Sequence, residues 1–180
     1  MAEQKASVKG VYIADEEGSF VTKALNLVKL AFGGIPGDRH FGWTKKAGVR
    51  ESMYERGTEI FNRRQLTLVS VEECAQIAEA LGVDRVEPEW LGANVCLEGM
   101  PDLTEVPAGA RFLFDGGAGL LCEGVARPCV HPGKVIAEHF PGREKLAAKF
   151  VKAASGRRGL IAVVEREGEV KRGDSVRIVT

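Results

Sequence analysis

Hydrophobic and polar residues alternate along most of this chain, and a period of two is typical of β-strands. The clearest case is residues 64–69, where Leu66 and Leu68 alternate with polar neighbours. Glycine and proline end most of these runs, because neither supports regular structure. The pattern predicts about eight strands, at residues 7–14, 25–32, 64–69, 92–97, 110–114, 119–125, 160–166 and 175–179.

Three segments show helical spacing instead. Ser70 and Glu73 match a capping box at the start of the first, and Gly82 ends it. The other two cover residues 134–140 and 143–154, with a Pro-Gly break between them. With no repeated strand–helix–strand rhythm, this predicts a mainly β (α+β) fold: a barrel or sandwich with a few peripheral helices, in one domain over residues 1–180.

The composition excludes several classes of protein. The 180 residues are 44% hydrophobic and 28% charged, and 25 Lys or Arg balance 25 Asp or Glu, so no overall field favours nucleic acid. No signal peptide and no membrane-spanning run is found, which predicts a cytoplasmic protein. Four cysteines without Cys-x-x-Cys spacing argue against a disulfide scaffold or a structural zinc site there.

Cys129 is the main candidate for chemistry. It follows a predicted strand and lies between Arg127 and His131, and nearby cations favour a thiolate over a thiol. Pro128 and Pro132 stiffen the loop by fixing φ. A cysteine in this setting suits a sulfur nucleophile or a metal ligand. The alternative is a small buried apolar residue, and the stretch alone leaves both open.

Residues 38–40 place an acid, a guanidinium and an imidazole together after a glycine-rich break. Arg39 could bind a phosphate or carboxylate, and Asp38 could orient that guanidinium. The alternative is a surface ion pair with His40 facing solvent. Residues 44–63 are polar with scattered glycines, which indicates a long mobile loop that is either a lid or partly disordered.

Two further positions are weaker candidates. The amide of Asn94, at the start of a predicted strand, could contact either a backbone group or a ligand. Arg157 and Arg158 precede another predicted strand, where they could form an anion clamp or simply be solvated.

Five segments, in this order and covering nearly the whole chain, resemble those of a MOSC domain: GGIPGDRH (33–40), RQLTLV (64–69), LGANV (91–95), RPC (127–129), and RGLIAV (158–163) with GEVKRGD (168–174). This domain occurs at the C-terminus of molybdenum-cofactor sulfurases, which include pyridoxal-phosphate-binding proteins, in amidoxime-reducing components, and as short stand-alone bacterial proteins. The resemblance implies a β-barrel-like fold and one essential cysteine, here Cys129.

In such relatives the cysteine ligates the molybdenum of molybdenum cofactor, or is proposed to carry sulfur as a persulfide. By the same resemblance, a set of polar residues would hold the pterin and its phosphate: Asp38, Arg39, His40, Arg64, Asn94, Arg127, His131, Arg157 and Arg158. A soft thiolate suits both roles of the cysteine.

Three functions therefore stay open. The first is a molybdenum-dependent enzyme that reduces an N-hydroxyl group or transfers an oxygen atom. A redox partner protein would supply its electrons. The second is a sulfur carrier that receives a persulfide from a cysteine desulfurase. The third is a non-catalytic module that binds a metabolite or a partner protein.

Overall fold

The computed structural model describes residues 3–180 and contains, in that range, twelve strands and three α-helices. The strands are β1 (Glu3–Ile13), β2 (Lys23–Leu25), β3 (Leu27–Leu30), β4 (Thr44–Lys46), β5 (Glu59–Phe61), β6 (Leu66–Ser70), β7 (Val95–Glu98), β8 (Arg111–Phe114), β9 (Gly119–Val125), β10 (Leu160–Arg166), β11 (Gly168–Lys171) and β12 (Ser175–Val179). The helices are α1 (Val71–Leu81), α2 (Val130–Glu138) and α3 (Leu146–Ala153), with short 3-10 turns at Pro88–Leu91 and Leu103–Glu105.

Seven strands form a closed barrel in the order β12-β8-β9-β10-β6-β7-β1, and β1 pairs with β12 to close it. The predicted β-barrel with peripheral helices is confirmed. All ladders are antiparallel except β6–β7, which runs parallel because α1 returns the chain to the same end of the sheet. The structure thus contains one strand–helix–strand crossover that the sequence pattern did not indicate.

Two apolar clusters hold this architecture together. The first fills the barrel, where the alternating inward residues meet, and includes the fully buried Phe112, Leu120 and Leu160. The second lies between the barrel wall and the helices, and includes Ile77 of α1 and Phe150 of α3. Burial of each such side chain is worth about 1.5–3 kcal/mol.

Helix α1 begins and ends as predicted. The Ser70 hydroxyl accepts a hydrogen bond from the Glu73 N–H at 3.2 Å, and Gly82 ends the helix at φ 66°. The other half of the capping box is different: the Glu73 carboxylate accepts hydrogen bonds from the Thr104 N–H and hydroxyl instead.

Within residues 3–180, no helix is long and apolar enough to cross a membrane.

Two predicted segments need correction. Where one strand was predicted at residues 25–32, residues 23–30 form the two short strands β2 and β3. They are separate because β2 pairs with β1 whereas β3 pairs with β11 in another sheet. Residues 44–63, predicted as a mobile loop, contain the β4–β5 hairpin. Strands of three residues are too short to show a hydrophobic period, and so the sequence pattern missed them.

Candidate functional site

A cleft of about 450 Å³ lies beside the N-terminus of α2. Cys129 and His131 line it, opposite a set of further basic side chains: Arg39, His40, Lys45, Arg50, Arg64 and Arg158. A larger cleft, of about 630 Å³, lies between Lys5 and Glu105, but neither cysteine nor histidine lines it. Chemistry rather than volume therefore identifies the first cleft as the candidate site.

Cys129 occupies the N-cap position of α2, four residues after β9 ends. Its backbone is extended, at φ −137° and ψ 172°, as N-cap residues require. It is partly exposed, whereas Cys74, Cys96 and Cys122 are buried. Burial raises the pKa of Cys96 to about 12. Among residues 3–180, Cys129 is thus the accessible cysteine.

Two guanidinium groups that line the cleft each contain a buried nitrogen without a hydrogen-bond partner. Arg158 is 4% exposed, and one of its nitrogens donates to the Leu91 carbonyl while Nη1 has no partner. The Nε of Arg64 is also buried without a partner. A buried donor left unpaired costs about 1–3 kcal/mol, and an acceptor that either nitrogen reaches after a small shift of its side chain would relieve that cost.

The charges of these groups interact. Burial lowers the pKa of Arg64 to about 10, the charge of Arg50 adds to this, and Cys129 acts in the opposite direction. Burial also lowers the pKa of Arg158 to about 10. The charge of Arg64 lowers that pKa further, and Cys129 acts in the opposite direction. Two cations that lower each other's pKa beside one cleft form an arrangement that a bound anion would stabilise.

The outer side of the cleft is formed by the β4–β5 hairpin and the loop before it. Arg39 and Arg50 are exposed, and Lys45 pairs with Glu51 at 2.6 Å. The Asn62 amide donates to the carbonyls of His40, at 2.7 Å, and of Gly42, at 3.0 Å. These bonds attach the hairpin to the loop that carries Arg39.

His40 is oriented by a buried carboxylate. Asp38 accepts hydrogen bonds from the N–H groups of Ala14 and His40 and from the Asn94 amide, at 2.8–2.9 Å, and its Oδ1 lies 3.2 Å from His40 Nδ1. Burial alone would raise the pKa of Asp38, but the hydrogen bonds from His40 and Ala14 outweigh it and lower that pKa. Because an ionised carboxylate only accepts, Nδ1 carries the proton and Nε2 stays available to the cleft.

The structure brings together six of the predicted site residues: Cys129, Arg39, His40, Arg64, His131 and Arg158. The other four do not line the cleft. Asp38 and Asn94 lie buried behind His40, so Asp38 holds the imidazole and backbone and not the Arg39 guanidinium. Arg127 is exposed, and Arg157 donates to the carbonyl of Ala153, the last residue of the preceding helix α3.

Sequence reasoning missed Lys45, Arg50 and Asn62 as lining residues, along with Phe20, whose ring lies 6.5 Å from that of His131. All but Phe20 fall in the segment interpreted as a loop. One signal was present: residues 39–64 contain seven Lys or Arg against three Glu, in a chain whose formal net charge is zero.

A closed barrel with a single accessible cysteine in a basic cleft matches a known class of protein. The family model of the MOSC domain matches residues 36–177, and this chain belongs to that family. It is 55% identical over 173 residues to a Bacillus subtilis (strain 168) protein described as "Putative metal-sulfur cluster biosynthesis proteins YuaD", covering 96% of this chain and 90% of that one.

Solved structures agree with this assignment. The crystal structure of the YuaD protein from Bacillus subtilis superposes with a TM-score of 0.95 at 54% identity, covering 98% of this chain and 97% of that one. YiiM from Geobacillus stearothermophilus gives a TM-score of 0.65 at 14% identity, over 97% and 75% of the two chains. YiiM from Escherichia coli gives a TM-score of 0.58 at 18% identity, covering 98% of this chain and 70% of that one. At such identities the two YiiM structures share the fold alone.

Proposed function

We propose that this protein binds molybdenum cofactor in the basic cleft, with the Cys129 thiolate as the protein ligand to the metal. The observation that supports this most is the pair of guanidiniums that line the cleft, Arg64 and Arg158, each with a buried donor that lacks a partner. A phosphate-bearing ligand supplies such acceptors, because planar guanidiniums bind phosphate oxygens well. The cleft volume of about 450 Å³ lies within the range of cofactor sites.

The donor set also fits this cofactor better than a free metal ion. Across residues 3–180, no group of three or more His, Cys, Asp or Glu side chains is placed to hold a metal. A metal in this cleft must therefore bring its own ligands and take few from the protein. A pterin-bound molybdenum carries its own sulfur ligands, and a soft thiolate completes them.

Each cleft residue has a defined role under this proposal. Arg64 and Arg158 would bind the phosphate, and His131 and Arg39 would lie at its edges. His40 Nε2 would donate or accept a proton beside the reacting group, held in place by Asp38. When bound, the cofactor would supply two-electron chemistry, which includes oxygen-atom transfer and N-hydroxyl reduction.

Elemental analysis tests the proposal. Wild-type protein produced in a host that synthesises the cofactor should contain molybdenum and release a fluorescent oxidised pterin on denaturation. Cys129→Ala should lose the metal, whereas Cys122→Ala, which changes a cysteine buried in the barrel, should keep it. A folded wild-type protein without molybdenum would refute the proposal.

A second function is favoured by a separate observation: Cys129 is the one accessible cysteine of this chain, and the relative YuaD is named for metal-sulfur cluster biosynthesis. In this alternative Cys129 carries sulfur. Its thiolate attacks the terminal sulfur of a persulfide on a cysteine desulfurase, a new S–S bond forms at Cys129, and the enzyme's thiolate leaves. The basic cleft would then stabilise the persulfide anion.

Mass spectrometry separates the two functions. After incubation with a desulfurase and cysteine, a sulfur carrier should gain one sulfur atom on Cys129, and Cys129→Ser should gain none. A wild type that gains no sulfur excludes the carrier function and leaves cofactor binding intact.

A further inference from the structure

Exposed apolar side chains are concentrated at one place on this protein. Among residues 3–180, eleven large hydrophobic side chains are exposed, and seven of them fall between residues 32 and 61. The most exposed are Val49 at 85%, Met53 at 74% and Trp43 at 58%. Scattered exposed apolar residues are ordinary, but a concentration of this kind marks an interaction surface.

Three of these residues are neighbours in space, and the other four lie close to them in sequence. The rings of Phe32 and Trp43 stack with centroids 5.7 Å apart, and Phe61 of β5 pairs with Thr44, next to Trp43. Met53 lies in the connection between β4 and β5. We call this surface the hairpin patch: Phe32, Phe41, Trp43, Val49, Met53, Tyr54 and Phe61.

The hairpin patch borders the cleft and is basic. Arg39, Lys45 and Arg50 line the cleft and alternate in sequence with patch residues, while Lys46 and Arg56 are exposed. Residues 39–64 have a formal charge of +4, and the remainder of the chain has −4. The charge asymmetry of this otherwise neutral chain is thus located around the opening that leads to Cys129.

We propose that the hairpin patch docks an acidic face of a second protein, one that delivers electrons or sulfur to the cleft. The inference rests on the proposed function, since either chemistry at Cys129 needs a donor that reaches this opening. An apolar centre with a charged surround is the usual composition of protein interfaces, and complementary charge speeds encounter.

Two other occupants fit less well. A symmetric contact between two copies of this chain would place one basic patch against another, which electrostatic repulsion disfavours. An anionic bilayer would attract the cations, but three glutamates lie within the same segment, and a membrane seated there would cover the opening that a donor must reach.

Site-specific photocrosslinking in cells that naturally produce the chain tests the proposal. A photoreactive phenylalanine analogue replaces Met53 in the hairpin patch or, as the control, Val151 of α3, which is 40% exposed. We expect an adduct at position 53, and not at 151, with a protein of net negative charge that mass spectrometry identifies. That protein, once purified, should bind the Lys46→Glu/Arg56→Glu variant at least about tenfold more weakly than wild type, and bind wild type more weakly as salt rises.

The remaining outcomes overturn the inference. No adduct at 53, or equal adducts at 53 and 151, excludes a docking surface. An adduct with another copy of this chain indicates self-association. A membrane is indicated if wild type co-sediments with phosphatidylserine-containing vesicles and the Lys46→Glu/Arg56→Glu variant does not. Molybdenum content and sulfur gain are measured on the same samples, so loss of the proposed function and loss of the docking surface are told apart.

Discussion

The barrel wall and the cleft satisfy their buried polar groups differently. Where α1 packs against the barrel wall, the Glu73 carboxylate accepts two hydrogen bonds from Thr104, at 2.6 and 2.8 Å, and the Thr104 hydroxyl in turn accepts one from the Gly159 N–H at 2.9 Å. Arg158 directly precedes Gly159 in sequence but belongs to the cleft, and its Nη1 has no acceptor. The Nε of Arg64 has none either.

Under the proposed function, this difference separates what is needed to fold from what is needed to bind the ligand. The wall contains polar groups that complete each other, and so it stabilises the barrel without help. The cleft keeps cations that destabilise each other, and a protein retains such an arrangement where a ligand supplies the missing charge. Substitutions in the two regions should therefore have opposite consequences.

The largest effect is expected at Gly159. Its φ is +79°, and a Cβ there would lie 1.9 Å from the Leu68 carbonyl oxygen. Gly159→Ala should lower the free energy of unfolding by more than about 3 kcal/mol, because left-handed strain and a backbone clash act together. Gly156→Ala is the matched control, since its φ is +73° but nothing lies within 4 Å, and it should cost only about 1 kcal/mol. Equal costs in urea denaturation would contradict the assigned clash.

Removal of the Thr104 hydroxyl tests the wall directly. Thr104→Val should lower the free energy of unfolding by about 2–3 kcal/mol, because it leaves Glu73 Oε2 and the Gly159 N–H without partners. Thr104→Ser keeps the hydroxyl and should cost about 1 kcal/mol. If both variants unfold at the same urea concentration, the network does not stabilise the barrel.

Asp38 makes a smaller, pH-dependent contribution. Its pKa is lower in the folded state than in the unfolded chain, so its stabilisation is fully present above the ordinary Asp range and is lost as pH falls through the folded value. Asp38→Asn should be less stable than wild type at pH 7 by about 1–3 kcal/mol. This difference in stability between wild type and variant should disappear on acidification below about pH 4. A gap that widens in acid, measured by denaturation across pH, would show that the ionised form is not the stabilising one.

The smallest change in stability is expected in the cleft. Arg64→Met removes a buried cation whose Nε has no partner, so the free energy of unfolding in phosphate-free buffer should change by less than about 1 kcal/mol or rise. Inorganic phosphate should raise the melting temperature of wild type and not of the variant, because a bound ligand stabilises the folded state. Loss of several kcal/mol without phosphate would show that Arg64 is structural.

Local signals in the sequence predicted the parts of the fold that local interactions determine. Strands β8 and β9 formed at the two apolar runs predicted at residues 110–114 and 119–125, and Ser70 capped α1. Cys129 lies between a strand and a helix, as its surroundings indicated. By contrast, the separation of β2 from β3 and the parallel β6–β7 pairing depend on strands far away in sequence, which no local pattern reports.

The site was predictable only in part for the same reason. Arg157 and Arg158 are adjacent and chemically equal, yet Arg158 is buried beside the cleft whereas Arg157 donates to the C-terminal end of α3. Tertiary packing sets the direction of a side chain just before a strand, and no local pattern reports it. Lys45 and Arg50 reached the cleft through a hairpin too short to be recognised.

Native mass spectrometry of freshly purified protein, from a host that makes the cofactor, tests most directly whether the cleft holds a sulfur-ligated, phosphate-bearing group. We expect an adduct with the mass of a molybdenum pterin on wild type, retained by Gly156→Ala and lost from both Cys129→Ala and Arg64→Met. A bare, folded wild-type chain, or the same adduct on all four proteins, would contradict the account.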